Sequence, residues 1–303
     1  MLLEKETIRV FLAETESIEV REDELLSAHT SFRVGGAARL MAFPRDAAQV
    51  KALLRAAAEH RIPVRLLGAG TNVLAPDDGV DALVICLKNA LCGICRCGET
   101  ELEAMAGQTL ASVAVFARNA GLGGMEFAHG IPGTLGGGIY MNAGAYGGEM
   151  RQIVRQVTFL HMDGREEVFG AADCAFGYRT SVFERMPGVI LAARLALQPG
   201  EPAEIGARMQ ELLEKRRASQ PLELPSAGST FKRPEGHYAG ALIEQAGLKG
   251  QGVGGAKVSE KHAGFVVNAD HATAQDVLNT IELVQKRVWE TSGVRLEPEV
   301  RIW

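Results

Sequence analysis

The sequence has no excess of basic charge: 32 Lys and Arg against 37 Asp and Glu give a formal net charge of −5, with the cations scattered along the chain. A nucleic-acid partner is therefore not expected. Long apolar runs are scarce as well. Met1 to Val20 alternates Leu, Glu, Lys and Ile without the apolar stretch of a signal peptide or a membrane span, so the expectation is a cytoplasmic protein with no membrane partner. Cysteine is sparse and odd in number, five in 303 residues, which argues against a secreted disulfide framework. The one cluster, Cys92-Gly-Ile-Cys95-Arg-Cys97, has no second Cys or His pair at ligand spacing, and no metal is expected. There is no fixed-period repeat, low-complexity tract or long linker.

Two phosphate-binding signatures are also missing. Gly68-Ala69-Gly70-Thr71-Asn72-Val73-Leu74 leaves an apparent strand as phosphate loops do, yet it has no Gly-Lys-Ser/Thr ending, which excludes a P-loop NTPase. It lacks the third glycine and the downstream acid of a Rossmann fingerprint. What is abundant is glycine. There are 35, well above the usual share of about 7%, and eleven lie between Gly121 and Gly148. The run Gly130-Ile131-Pro132-Gly133-Thr134-Leu135-Gly136-Gly137-Gly138, with Asn142 and Gly144 beyond it, has almost no side chains, so its main-chain N–H groups are expected to wrap an anionic diphosphate. With the Gly68 loop as partner, a long dinucleotide held by backbone from both sides is the natural ligand.

Elsewhere the texture is α+β. Asp46 to His60 has apolar residues at helical spacing with Asp46 as N-cap, followed by a strand at Val64–Leu67. Strands are expected at 82–87, 102–106, 154–160 and 189–197, with a helix over 110–120. After Pro202 come helices over 203–217, 238–246 and 273–291, and strands over 264–268 and 294–302. The expected division is an N-terminal helical segment, 1–27, a glycine-rich domain, 28–200, and a smaller α+β domain, 201–303.

Six ordered motifs span nearly the whole chain: 29–36 (His-Thr-Ser-Phe-Arg-Val-Gly-Gly), the Gly68 loop, 130–148, 177–181 (Gly-Tyr-Arg-Thr-Ser), 225–234 (Pro-Ser-Ala-Gly-Ser-Thr-Phe-Lys-Arg-Pro) and 296–301 (Leu-Glu-Pro-Glu-Val-Arg). On these the chain resembles the UDP-N-acetylenolpyruvoylglucosamine reductases of bacterial peptidoglycan synthesis, in their shorter subclass. The resemblance implies a two-subdomain FAD-binding domain of the vanillyl-alcohol-oxidase/PCMH type followed by a substrate domain. It implies non-covalent FAD, NADPH as co-substrate, UDP-N-acetylglucosamine enolpyruvate as substrate, and a monomer. By motif position, FAD contacts fall on Gly68, Ala69, Gly70, Thr71, Asn72, Val73, Leu74, Ile131, Pro132, Gly133, Thr134, Gly136, Gly137, Asn142 and Gly144, and substrate contacts on Tyr178 and Arg233. His129 and Gly138 depart from the family pattern, which favours a small residue and an alanine there.

The implied reaction sends hydride to C3 and a proton to C2 of an enolpyruvyl ether. The carboxylate gains charge as this happens, so a fixed cation is needed, and Arg179 matches the family's catalytic arginine. Ser229 matches the proton donor to C2, with Gly228 allowing close approach. Glu299 matches the catalytic glutamate and is expected to be partly desolvated and protonated, with Glu297 as its competitor. Two other readings remain at this stage: an oxidase on the same scaffold, and a flavin-binding or nucleotide-sugar-binding protein without activity.

Overall fold

The structure, a computed structural model, describes residues 3–303. It is α+β and forms two compact units, one of residues up to Glu22 with Arg39–Ala69 and Asp81–Lys215, the other of Asp23–Ala38, Gly70–Val80 and Arg216–Trp303. The second unit is thus drawn from three stretches of chain, unlike the linear segments 28–200 and 201–303. Among the described residues up to 27, Lys5–Glu14 is α-helical and Glu19–Leu25 is a strand.

Helix α1 (Lys5–Glu14) precedes a four-stranded sheet ordered Glu19–Leu25, Ala37–Phe43, Val80–Cys86, Val64–Leu67, most of whose residues belong to the first unit. Helix α2 (Ala47–Glu59) begins where the Asp46 carboxylate accepts the Gln49 N–H, and it buries Val50, Leu53, Leu54, Ala56 and Ala57 on one face. It carries the chain over to Val64–Leu67, which pairs parallel with Leu83–Cys86. Pro63 ends the preceding turn, since the residue before a proline avoids helical backbone. A five-stranded antiparallel sheet, ordered Glu166–Gly170, Val154–His161, Gly188–Ala196, Glu101–Met105, Ile94–Arg96, makes the second half of this unit. Helix α3 (Leu110–Asn119), capped by Thr109, and the six-residue helix α4 (Leu135–Tyr140), capped by Thr134, lie between its strands in sequence. Helix α5 (Pro202–Ser219) follows.

The second unit packs helices α6 (Ala239–Gln245) and α7 (Ala274–Ser292) with a three-stranded sheet, Gly252–Val253, Ala256–Val258 and Val266–Asn268. Thr273 and Asp276 form a capping box at the start of α7, and Gly293 ends it at φ 68°. Its apolar face, Val277, Ile281, Val284 and Val288, joins Phe32, Val34, Leu74, Phe231 and Ile243 in a core. The expected strand 294–302 is confined to Arg301–Ile302, parallel to Val73–Leu74. Residues 294–300 form no regular strand; an isolated bridge joins Pro298 to Phe231, carried by Lys232 N to Glu297 O and Glu299 N to Thr230 O.

Candidate active site

The glycine-rich run is not a continuous wrap of exposed N–H groups; its second half is helix α4. There the N–H groups of Leu135 and Gly136 donate to the carbonyls of Gln108 and Ala106 at 2.7 and 2.9 Å, Gly138 donates to Thr134 O at 2.8 Å, and Gly137 to Thr134 Oγ1 at 3.3 Å. Gly136 and Gly138 are packing glycines, since a Cβ would stand 3.0 Å from Ala106 Cβ and 3.2 Å from Leu110. Gly137 differs, for it is exposed and a Cβ there would meet only Thr134 Oγ1, at 3.4 Å. The groups suited to an anion lie just before the helix. The N–H groups of Gly133 and Thr134, and those of Gly68 and Ala69, meet no acceptor among the described residues. Gly68 approaches Thr134 so closely that a Cβ would lie 2.8 Å from Oγ1, so these two bare segments converge. Such a cluster of unpaired donors without side chains fits the diphosphate of a dinucleotide.

In the second unit, Gly70 has φ 63° and no room for a Cβ, which would overlap the His29 carbonyl oxygen. Its own carbonyl accepts from Ser31 N at 3.0 Å. Ser31 Oγ also donates to Ser226 O at 2.6 Å, which ties this loop to the segment leading to Ser229.

Arg179 sits at the tip of a two-residue turn in which Gly177 and Thr180 exchange backbone hydrogen bonds at 3.0 and 3.4 Å. Its φ is 55°, a left-handed conformation that an L side chain adopts only under strain. The turn is held from below by Asn142, fully buried, whose Nδ2 donates to Gly177 O at 2.8 Å and to Glu149 at 2.9 Å while Oδ1 accepts from Arg151 N. Both Asn142 side-chain donors are therefore spent within the protein. Arg179 Nη2 donates to Gly144 O at 2.9 Å, which aims the half-buried guanidinium, and its Cζ lies 5.2 Å from the ring of exposed Tyr178. Tyr146, next to this turn on the loop after Gly144, also has positive φ, 53°, and is 42% exposed. Sequence reading passed it over.

Ser229 and Glu299 come together on one hydrogen-bonded ladder. Glu299 N donates to Thr230 O at 2.8 Å, Thr230 N to Gly264 O at 2.8 Å, and Gly264 N to His262 Nδ1 at 3.0 Å. Buried Thr230 anchors the strand through Oγ1, which accepts from Val266 N, while Ser229 faces outward with a hydroxyl that meets no partner among the described residues. Gly228, at φ 74°, makes the turn that presents it. Glu299 is half-buried, whereas Glu297 is exposed and pairs with Lys232 at 3.4 Å, which separates the two carboxylates by environment. His262 is a further group that sequence reading missed. Its ring and Ser229 Oγ both lie within 3.5 Å of where a Gly264 Cβ would stand. Burial, above all, pushes its pKa below the usual 6.5; Lys249 adds to this and Glu244 opposes it. The run Lys261-His262-Ala263-Gly264 just before a strand was the available signal.

Arg233 is exposed and stacks 3.9 Å from the Tyr238 ring centroid. His129 is half-buried with Nδ1 lacking a hydrogen bond, and its pKa is lowered by burial and then by Arg118. All five cysteines are free thiols, with Cys92, Cys95 and Cys97 exposed and Cys86 and Cys174 buried. Among the described residues no three His, Cys, Asp or Glu side chains could hold a metal ion together. No helix there is long and apolar enough to cross a membrane.

Comparison with known proteins accords with this geometry. Residues 38–170 match the FAD binding domain family, and residues 220–303 match the C-terminal domain of UDP-N-acetylenolpyruvoylglucosamine reductase. The reductase of Limosilactobacillus reuteri is 47% identical over 285 residues, 94% of this chain and 95% of its own, and that of Lactiplantibacillus plantarum is 44% identical over 96% of both. The crystal structure of the Thermus caldophilus enzyme superposes with a TM-score of 0.77 at 35% identity, covering 94% of this chain and 99% of that one. With these matches joined to the two bare loops and the Ser229–Glu299 ladder, the chain belongs to the UDP-N-acetylenolpyruvoylglucosamine reductase family of FAD-dependent oxidoreductases.

Proposed function

We propose that this chain reduces the enolpyruvyl ether of UDP-N-acetylglucosamine to UDP-N-acetylmuramate for peptidoglycan, using non-covalent FAD and NADPH, as a cytoplasmic monomer. The observation that carries this reading is 47% identity, over nearly the full length of both chains, to a reductase so named. The roles of individual residues rest on motif position and local chemistry. When bound, FAD would supply the hydride chemistry that links NADPH to C3 of the enolpyruvyl group.

The chain's own task is to hold the cofactor and manage charge and proton. Gly68, Ala69, Gly133 and Thr134 offer N–H groups to the diphosphate, and exposed Gly137 leaves room beside it. Thr71, Asn72, Val73, Leu74, Ile131 and Pro132 complete the loops, and Gly144 and Asn142 support the Arg179 turn. Arg179 offers a fixed cation to the substrate carboxylate, whose negative charge grows as an enediolate develops, and keeps its own proton throughout. Ser229 passes its hydroxyl proton to C2; its freedom from other hydrogen bonds suits that transfer. Glu299, protonated in its half-buried position, donates a hydrogen bond to the developing charge. Tyr178 and Arg233 contact the substrate.

Ser229→Ala tests the central step. Flavin bleaching by NADPH is expected to survive, while recolouring by the enolpyruvyl substrate falls about a hundredfold or more. Equal loss of both half-reactions would remove Ser229 from the proton-donor role.

A further inference from the structure

We infer that Asn72 is a positioning residue that couples the cofactor loop to Glu299; the inference rests on the proposed role of Glu299. Asn72 Nδ2 donates to the Glu299 carbonyl at 3.2 Å, and the Asn72 carbonyl accepts from Arg301 N at 2.9 Å. The carbonyl acceptor sets the orientation of the amide, since only its NH2 end can donate. Glu299 is thereby held at both of its backbone polar groups. Its N–H is bound by the Ser229–Thr230 segment and its C=O by the loop that follows Gly68–Gly70.

Two features make this clamp consequential. Glu299 lies outside the regular ladder, which pairs only Arg301–Ile302 with Val73–Leu74. Beyond that ladder, the Asn72 side chain supplies the support that a neighbouring strand would give, and with both peptide groups fixed the Cα–Cβ direction of Glu299 is fixed too. The other feature is the loop itself. Its N–H groups at Gly68, Ala69 and Gly70 meet no acceptor among the described residues, so an anion binding there tightens the same segment that holds Glu299. Filling the cofactor loop and aiming the Glu299 carboxyl are one event. Sequence alone could not show this, because residues 72 and 299 stand 227 positions apart.

The test uses full-length, FAD-loaded protein in anaerobic single turnovers. With FAD saturating, Asn72→Ala is expected to slow recolouring by the enolpyruvyl substrate between about ten- and a hundredfold, the cost of misplacing one catalytic group, and to slow it more than it slows bleaching by NADPH. Asn72→Asp keeps the shape but sets an acceptor against the carbonyl, and is expected to slow recolouring at least as much. The loss should not compound: in a Glu299→Gln background Asn72→Ala adds nothing, as for two residues acting as one unit. Recolouring of Asn72→Ala at the unaltered rate, a loss cured by more FAD, or multiplied losses in the double variant would each overturn the coupling. Should Asn72→Ala fail to retain FAD, Asn72→Asp, which keeps the shape but loses the donor, carries the same comparison. Glu299→Gln alone at full speed would instead overturn the reading of Glu299 on which the inference stands.

Discussion

Arg179 stands on a backbone with φ 55°, where an L side chain costs about 1–2 kcal/mol relative to its preferred conformations. The turn would be easier with glycine, and the proposed role of Arg179 at the substrate carboxylate gives a reason for the strain. Arg179→Gly is therefore expected to leave the melting temperature within a few degrees, because relief of strain offsets loss of the bond to Gly144 O, worth about 1 kcal/mol. Recolouring by substrate should fall about a hundredfold or more. A large drop in melting temperature would make Arg179 structural instead. His262 offers a second test on a single residue. Its native pKa lies below 6.5 because it is buried as a neutral ring, so the unfolded chain binds the proton more readily. Stability is expected to be intact above pH 6.5 and to decline as pH falls below it, more steeply for the natural chain than for His262→Asn, as read by denaturant midpoints. Equal slopes would contradict that reading.

At the scale of elements, legibility followed local pattern. Helix α2 and the strand Val64–Leu67 stand where periodicity and the Asp46 cap put them, and α7 covers Ala274–Ser292 where 273–291 was expected. Helix α4 was illegible. Three of its six residues are glycine, each costing about 1 kcal/mol of helix propensity against alanine, and close packing on Ala106 and Leu110 outweighs that cost. Gly137 has no such packing reason. Gly137→Ala is expected to raise the melting temperature of the FAD-free protein, by a stabilisation of about 0.5–1 kcal/mol, while weakening FAD binding. Unchanged FAD affinity would mean that the exposed face of α4 does not border the cofactor.

For the molecule as a whole, the motifs conveyed more than the periodicity did. On Gly-Tyr-Arg-Thr-Ser, Ala-Gly-Ser-Thr-Phe and Leu-Glu-Pro-Glu-Val-Arg the chain resembles a reductase family, and the matches show that family. The joining of Ser229 to Glu299 through Thr230 was not readable, because it depends on pairings between distant segments. The same holds for Phe32, Val34 and Leu74, which belong to the core of the second unit although they precede most of it by some two hundred residues. The most direct measurement is made on the purified protein under anaerobic conditions. NADPH is added until the flavin absorbance bleaches, and the UDP-linked enolpyruvyl sugar is then added in stoichiometric amount. The expected result is full recolouring with formation of UDP-N-acetylmuramate; a flavin that stays bleached until oxygen is admitted would contradict the proposed reaction.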